Sequence, residues 1–322
     1  MSGDVGRRGM KTYSHLMAKR RVPSEYEIVT SKLLYYVDRG FEVETPLAAW
    51  YRRYQLGSPL RCSDWDAFRD PRETTYSKYT ALQREKEAHV DGILRSIATS
   101  DYDARLSPEW LERLERLLSP ARFPFHGLQM VAAYVGQMAP SGRITIACAL
   151  QAADEMRRVQ RYAERLAQLR LQRPSFGDGG KAEWQGDPSW QPLRRLIEEL
   201  LCTYDWGEAL TALNLCVKPV LDELFSRELA ELGKASGDFL FGQISFSLAE
   251  DSAWHRAWTQ ALVEHAIASN TENGDVMRSW VRAWLPRAES SADALYRSFV
   301  ADGSSSAGSN ARRWLAGMGL AP

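Results

Sequence analysis

The 322-residue chain has no run of about 18 apolar residues, the length a helix needs to cross a bilayer. Its N-terminus lacks the apolar core of a secretory signal. There are only four cysteines, Cys62, Cys148, Cys202 and Cys216, with no Cys-x-x-Cys spacing. That fits a reducing cytoplasm better than a disulfide framework. Neither charge is in excess: Lys and Arg number 41, as do Asp and Glu. A dedicated nucleic-acid binder needs surplus cations, so that class is excluded. A balanced chain also has little self-repulsion, which suits a protein that lives in an assembly. No stretch alternates polar and apolar residues with a period of two. Two long stretches, 116–153 and 209–221, contain no carboxylate at all.

What is present is helical pattern over a large apolar content. Hydrophobic residues make up 44% and charged residues 25%, enough to bury a sizeable core without disulfides or metals. Residues 1–22 hold six cations, Arg7, Arg8, Lys11, Lys19, Arg20 and Arg21, against the single Asp4. They read as an extended basic arm that lies on another chain or stays disordered. After Pro23-Ser24, the residues Ile28, Val29, Leu33, Tyr36 and Val37 follow a helical spacing. Ser107-Pro108-Glu109 is a helix start, with a capping hydroxyl and Pro at the first position. Pro120 and Pro124 punctuate the next join, and a buried helix over 125–138 ends at Pro140. A long helix over 143–171 carries a stripe at Ile144, Cys148, Gln151, Glu155, Tyr162, Leu166 and Leu169. The turn-rich stretch 174–188 joins two halves of the helical body. Further helices begin near Trp190, Trp206, Trp254 and Met277. Pro219 should kink the second of these, and Pro286 should stop the last. Residues 302–322, rich in Gly and Ser at first, read as a flexible tail. The expectation is an all-α chain whose body, 23–301, has helices long enough for a bundle.

Known chemical signatures fail one by one. Gly177-Asp178-Gly179-Gly180-Lys181 resembles part of a phosphate loop. However, Ser175 stands where the first Gly is needed, and Ala182 replaces the metal-binding hydroxyl. There is no Gly-x-Ser-x-Gly elbow. Cys148, Cys202 and Cys216 lie in apolar helical contexts and read as small hydrophobes, while Cys62 falls in a loop. The histidines are His15, His89, His126, His255 and His265, and none is preceded by Glu at three positions. A di-iron bundle needs two Glu-x-x-His pairs and two further Glu residues, the spacing of three placing both ligands on one helix face. Two near-misses occur: Glu155-Met156-Arg157-Arg158 has the Glu but Arg for His, and Ser252-Ala253-Trp254-His255 has the His but Ser for Glu. Such a cluster finds one carboxylate and one imidazole here, so it should not form. Glu155 itself is expected to pair with Arg158, one turn on.

The residues resemble a family nonetheless. The segments are Thr12-Tyr13-Ser14-His15-Leu16, Pro23-Ser24-Glu25-Tyr26-Glu27-Ile28-Val29, Ser58-Pro59-Leu60, Trp65-Asp66-Ala67-Phe68 and Asp70-Pro71. Phe125-His126-Gly127-Leu128-Gln129-Met130, Gln137-Met138-Ala139-Pro140, Asp205-Trp206-Gly207-Glu208-Ala209 and Val217-Lys218-Pro219 follow. His255, Trp258 and His265-Ala266 complete them. Together, over roughly 12–300, they resemble the hydroxylase β subunit of the soluble multicomponent di-iron monooxygenases, in the toluene and alkene monooxygenase branch. The resemblance implies a ferritin-like helical bundle with additional helices, and a chain with no catalytic, cofactor-binding or metal-ligating residue. It implies an α2β2γ2 hydroxylase whose α subunit holds a di-iron centre that activates O2. NADH would supply electrons through a reductase with flavin and an Fe–S cluster, often by way of a Rieske ferredoxin, and a small effector protein would gate turnover. The 11 Trp are then expected to divide between core and subunit interface. The competing expectations are a ferritin-like protein that binds metal by itself, and a stand-alone helical interaction module.

Overall fold

Capping and burial set the lengths of the helices. The computed structural model describes residue 16 and residues 21–30, 45–98 and 100–322. Its helices are α1 (Glu25–Thr30), α2 (Pro46–Tyr51), α3 (Tyr76–Ala98), α4 (Tyr102–Arg105), α5 (Pro108–Met138), α6 (Gly142–Arg170) and α7 (Gly180–Gly186). Then come α8 (Gln191–Leu201), α9 (Trp206–Leu210), α10 (Lys218–Glu223), α11 (Leu229–Ala235), α12 (Phe239–Ser269), α13 (Glu272–Arg297) and α14 (Ala307–Gly317). No strand occurs among the described residues, and no described helix is long and apolar enough to cross a membrane. The bundle is all-α and ferritin-like. Its four members are α5, α6, α12 and a rod over 206–235 in which α9, α10 and α11 are joined by π-helical segments at Thr211–Val217 and Leu224–Glu228. The other helices surround it: α3 against α6 and α12, α8 and α13 along the rod and α5, and α14 across α10 and α13.

Three sequence expectations change here. Pro120 and Pro124 do not break a helix; α5 runs from its Ser107 cap through both prolines to Met138. An interior proline costs about 3 kcal/mol. Both rings are buried among Leu117, Leu118, Ala121 and Phe125, and that burial offsets the cost. Pro286 likewise lies inside α13 rather than at its end. At Pro219, where a kink is expected, the rod continues from α9 through α10 to α11. The proline enters directly after the π segment Thr211–Val217, where the bonding register is already shifted and a missing N–H matters little. Finally, 302–322 is not a flexible tail. Ser305 Oγ and the Ser306 hydroxyl and amide donate to Glu228 at 2.6–2.7 Å, and α14 then buries Ala307, Ala311 and Leu315. Gly308 lets this helix approach closely, since a Cβ there would sit 2.6 Å from Glu289. The basic arm falls mostly outside the described residues. Of it, Arg21 is bonded to Glu27 at 2.6 Å, and Glu27 is fully buried and also held by Arg69.

Candidate functional site

Where the four bundle members converge, the core is charged. Glu155, on the inward stripe of α6, is 1% exposed. Its Oε1 lies 2.5 Å from Lys218 Nζ at the start of α10, and its Oε2 lies 3.8 Å from Arg158 Nη1. Lys218 Nζ also meets Asp222 Oδ2 at 3.0 Å. Arg158 Nη2 donates to Asp222 Oδ1 at 2.8 Å and to Ser252 Oγ on α12 at 3.0 Å, with its guanidinium 4.5 Å from the centre of the Phe125 ring. The expected Glu155–Arg158 pair thus exists only as a long contact; Lys218 is the closer partner. Burial opposes ionisation of Asp222, but Lys218 and Arg158 outweigh it and hold its pKa below the usual carboxylate range. Burial likewise disfavours the Arg158 cation, and Glu155 and Asp222 outweigh that, raising its pKa.

A second cluster adjoins the first on the α3 side. His255 Nε2 lies 2.9 Å from Asp154 Oδ2, while Tyr79 and Gln83 each donate to Asp154 Oδ1 at 2.7 Å. Burial, and then the charge of Asp251, push the Asp154 carboxyl up to about 8. Burial first and Lys218 second push His255 down to about 3. Both shifts favour an uncharged pair near neutrality, a protonated carboxyl beside a neutral imidazole. Asp251 is ionised, being held low by Arg157 and Lys86 against its burial, with contacts of 2.7 and 2.6 Å. Arg157, Arg161 and Arg165 form a stripe on α6 that faces the acids Glu87, Asp91 and Asp103.

The interior is thus not poor in carboxyl groups: Asp154, Glu155, Asp222 and Asp251 all lie there. The empty stretches 116–153 and 209–221 end just before Asp154 and Asp222. What opposes a metal is the set of cations. Each ionised carboxylate already faces an ammonium or guanidinium, and the lone imidazole is bonded to Asp154. Among the described residues, no group of three or more His, Cys, Asp or Glu side chains is arranged to hold a metal ion. A di-iron centre does not fit these residues.

The other candidate residues serve packing. Cys148 and Cys216 are buried, with thiols raised by desolvation, but Cys202 is exposed at the end of α8 rather than in an apolar setting. Cys62 Sγ lies 3.4 Å from His265 Nε2, which also meets the Asp64 carbonyl at 2.9 Å. His89 and His126 are exposed, and His15 lies outside the described residues. In the phosphate-loop lookalike, the Gly177 amide donates to Glu115 at 2.6 Å and a Cβ on Gly180 would overlap Ser119. The glycines close a helix join. Seven of the 11 Trp are buried in this chain, and Trp50, Trp65, Trp280 and Trp314 pack partly buried against the core.

A sequence profile of the methane, phenol and alkene hydroxylases matches residues 50–270. The chain belongs to this family. It is 37% identical over 292 residues to the toluene-4-monooxygenase system hydroxylase component subunit beta of Ectopseudomonas mendocina, covering 88% of this chain and 89% of that protein. It is 28% identical to the propane 2-monooxygenase hydroxylase component small subunit of Mycolicibacterium smegmatis, over 73% of this chain and 66% of that one. A solved structure of toluene 4-monooxygenase with toluene in its resting active site contains a chain that superposes with a TM-score of 0.84 at 35% identity, over 92% of this chain and 98% of that chain. This hydroxylase-family chain is thus homologous to a component of a hydrocarbon monooxygenase. Two of the segments that carried the resemblance act as clamps in this fold. Ser58 donates to the α9 cap Asp205 at 2.8 Å, and Trp254 donates to Asp70 at 3.0 Å.

Sequence reasoning missed Asp154, Lys218, Asp222 and Asp251 as members of the core cluster. One signal was available: Arg157, Arg161 and Arg165 at intervals of four on an otherwise apolar-striped helix demand acids from a neighbouring element.

Proposed function

We propose that this chain is the non-catalytic β subunit of the hydroxylase of a bacterial, NADH-dependent di-iron monooxygenase that oxygenates small hydrocarbons, aromatics or alkenes. It braces a larger α subunit that carries the di-iron centre, within an α2β2γ2 complex in the cytoplasm. A reductase bearing flavin and an Fe–S cluster, a Rieske ferredoxin and a small effector protein act on that complex. The observation that carries the reading is the core of the bundle. Arg158 and Lys218, each no more than 3% exposed, stand among Glu155 and Asp222. Fixed cations at these positions repel a second cation, so the oxygen chemistry belongs to a companion chain. Kinship to a subunit named beta in a toluene monooxygenase supports the same assignment.

The test is metal content by subunit. The hydroxylase complex should contain iron, and this chain purified in full length by itself should retain far less than one iron per chain. Stoichiometric iron in the isolated chain, with turnover to match, would overturn the reading.

A further inference from the structure

The two broken Glu-x-x-His positions are not independent accidents. Arg158 stands where the α6 pair lacks its His, and Ser252 stands where the α12 pair lacks its Glu. In the folded chain these two side chains touch, Arg158 Nη2 to Ser252 Oγ at 3.0 Å. The two positions therefore face one common point. The same point is flanked by Glu155 from α6 and Asp222 from the rod, and Lys218 Nζ lies within 3.0 Å of both carboxylates. Opposite charges balance there: two carboxylates, one guanidinium and one ammonium, all withdrawn from water. Arg158 links α6 to the rod and to α12, and Lys218 links the rod to α6. A metal ion bound to the same shell would tie together the same members of the bundle.

We infer that Arg158 and Lys218 hold the place of a metal centre in this bundle, cross-linking its helices by fixed charge, and that the shell around them accepts a divalent transition metal once both cations are removed. The inference rests on the reading of the chain as metal-free and adds to it a cause and a reversal. Removing a single cation leaves a buried carboxylate without compensation, which is strongly destabilising. Removing both while restoring the ligands has a different result. The substitution Arg158→His completes the pair that Glu155 begins on α6, and Ser252→Glu completes the pair that His255 ends on α12. With Asp222 between them, the two pairs form a set of carboxylates and imidazoles suited to Co²⁺, Fe²⁺ or Zn²⁺.

The experiment uses the full-length chain with Co²⁺ as the probe. Three proteins are compared: wild type, R158H/K218A/S252E, and K218M alone. The wild type should show no visible Co²⁺ d–d absorption. The triple variant, with three carboxylates and two imidazoles, should bind about one Co²⁺ per chain, show that absorption, and melt at higher temperature with the metal than with a chelator. K218M should melt about 5–10 °C below the wild type. A folded triple variant, helical by circular dichroism, that takes up no Co²⁺ overturns the inference while leaving the metal-free reading intact. Co²⁺ held stoichiometrically by the wild type overturns that reading instead. Should the triple variant not fold, K218M decides: a melting temperature equal to wild type sinks the idea that Lys218 supplies needed charge.

Discussion

At the scale of single residues, the sequence placed Glu155 on the inward stripe of its helix and marked His255 as half of a broken ligand pair, but misjudged their company. Helical periodicity tells which face a side chain lies on. It does not tell which distant residue meets it, and Lys218, Asp222 and Asp251 lie 63 to 96 positions from Glu155. Asp154 was hidden for another reason. It stands next to Glu155, off the counted Glu-x-x-His frame, yet it is the residue that bonds His255. That bond has a measurable consequence. His255 is held near 3 by burial and by Lys218, whereas in an unfolded chain it titrates near 6.5. Between those values the unfolded state binds a proton that the folded state refuses. The stability associated with the neutral ring is therefore complete above about pH 6.5 and is lost as the pH falls toward 3. Asp154, raised to about 8, stays protonated across this window, so its own contribution cancels when wild type is compared with His255→Gln. The gap in urea midpoint between these two proteins should be widest near pH 7 and should shrink toward pH 4. A gap independent of pH would mean that the ring titrates alike in the folded and unfolded chain, and a gap that widens toward pH 4 would mean that the imidazole is charged in the fold.

At the scale of elements, periodicity located one long helix closely, 143–171 being observed as Gly142–Arg170, and the end before Pro140 as Met138, but it put the start of α12 near Trp254 rather than Phe239 and passed over α3. Punctuation was less legible. Proline reads as a break because it lacks an N–H and crowds the preceding turn. In α5 the burial of both rings wins, in α13 Pro286 lies inside the helix on its exposed face, and in the rod a π turn absorbs the defect. Glycine and serine misled in the opposite sense near the C-terminus. Small residues read as flexible, but here they allow close approach: Gly308 against Glu289, and Ser305 and Ser306 against Glu228. A substitution separates the two views. Leu315 on α14 is fully buried, and Leu315→Ala should lower the unfolding free energy by about 2–5 kcal/mol. In a mobile tail the same change would fall within about 0.5 kcal/mol of wild type. Denaturant titration distinguishes these outcomes directly.

At the scale of the whole molecule, the evidence for assembly lies in charge rather than in tryptophan. The aromatic excess is largely buried within the chain, where Trp190, Trp206 and Trp258 are among its largest fully buried side chains. The charge is distributed unevenly instead. The chain as a whole is neutral, yet residues 1–20 hold five cations, Arg7, Arg8, Lys11, Lys19 and Arg20, against Asp4 alone. The remainder is therefore net negative by four. Arg21 is already committed to the buried Glu27, and Leu16 is buried, so changing Arg7, Arg8, Lys11, Lys19 and Arg20 to Gln removes the charge while sparing both. If the arm reaches a neighbouring subunit, its cations attract that subunit at low salt and are screened over about 8 Å at physiological ionic strength. This fivefold Gln variant should then leave the melting temperature of the isolated chain within a few degrees of wild type, weaken its association with the α subunit about tenfold at low salt, and flatten the dependence of that affinity on ionic strength. Equal affinity and equal salt dependence for the two proteins would show that the charge of the arm contributes nothing to assembly.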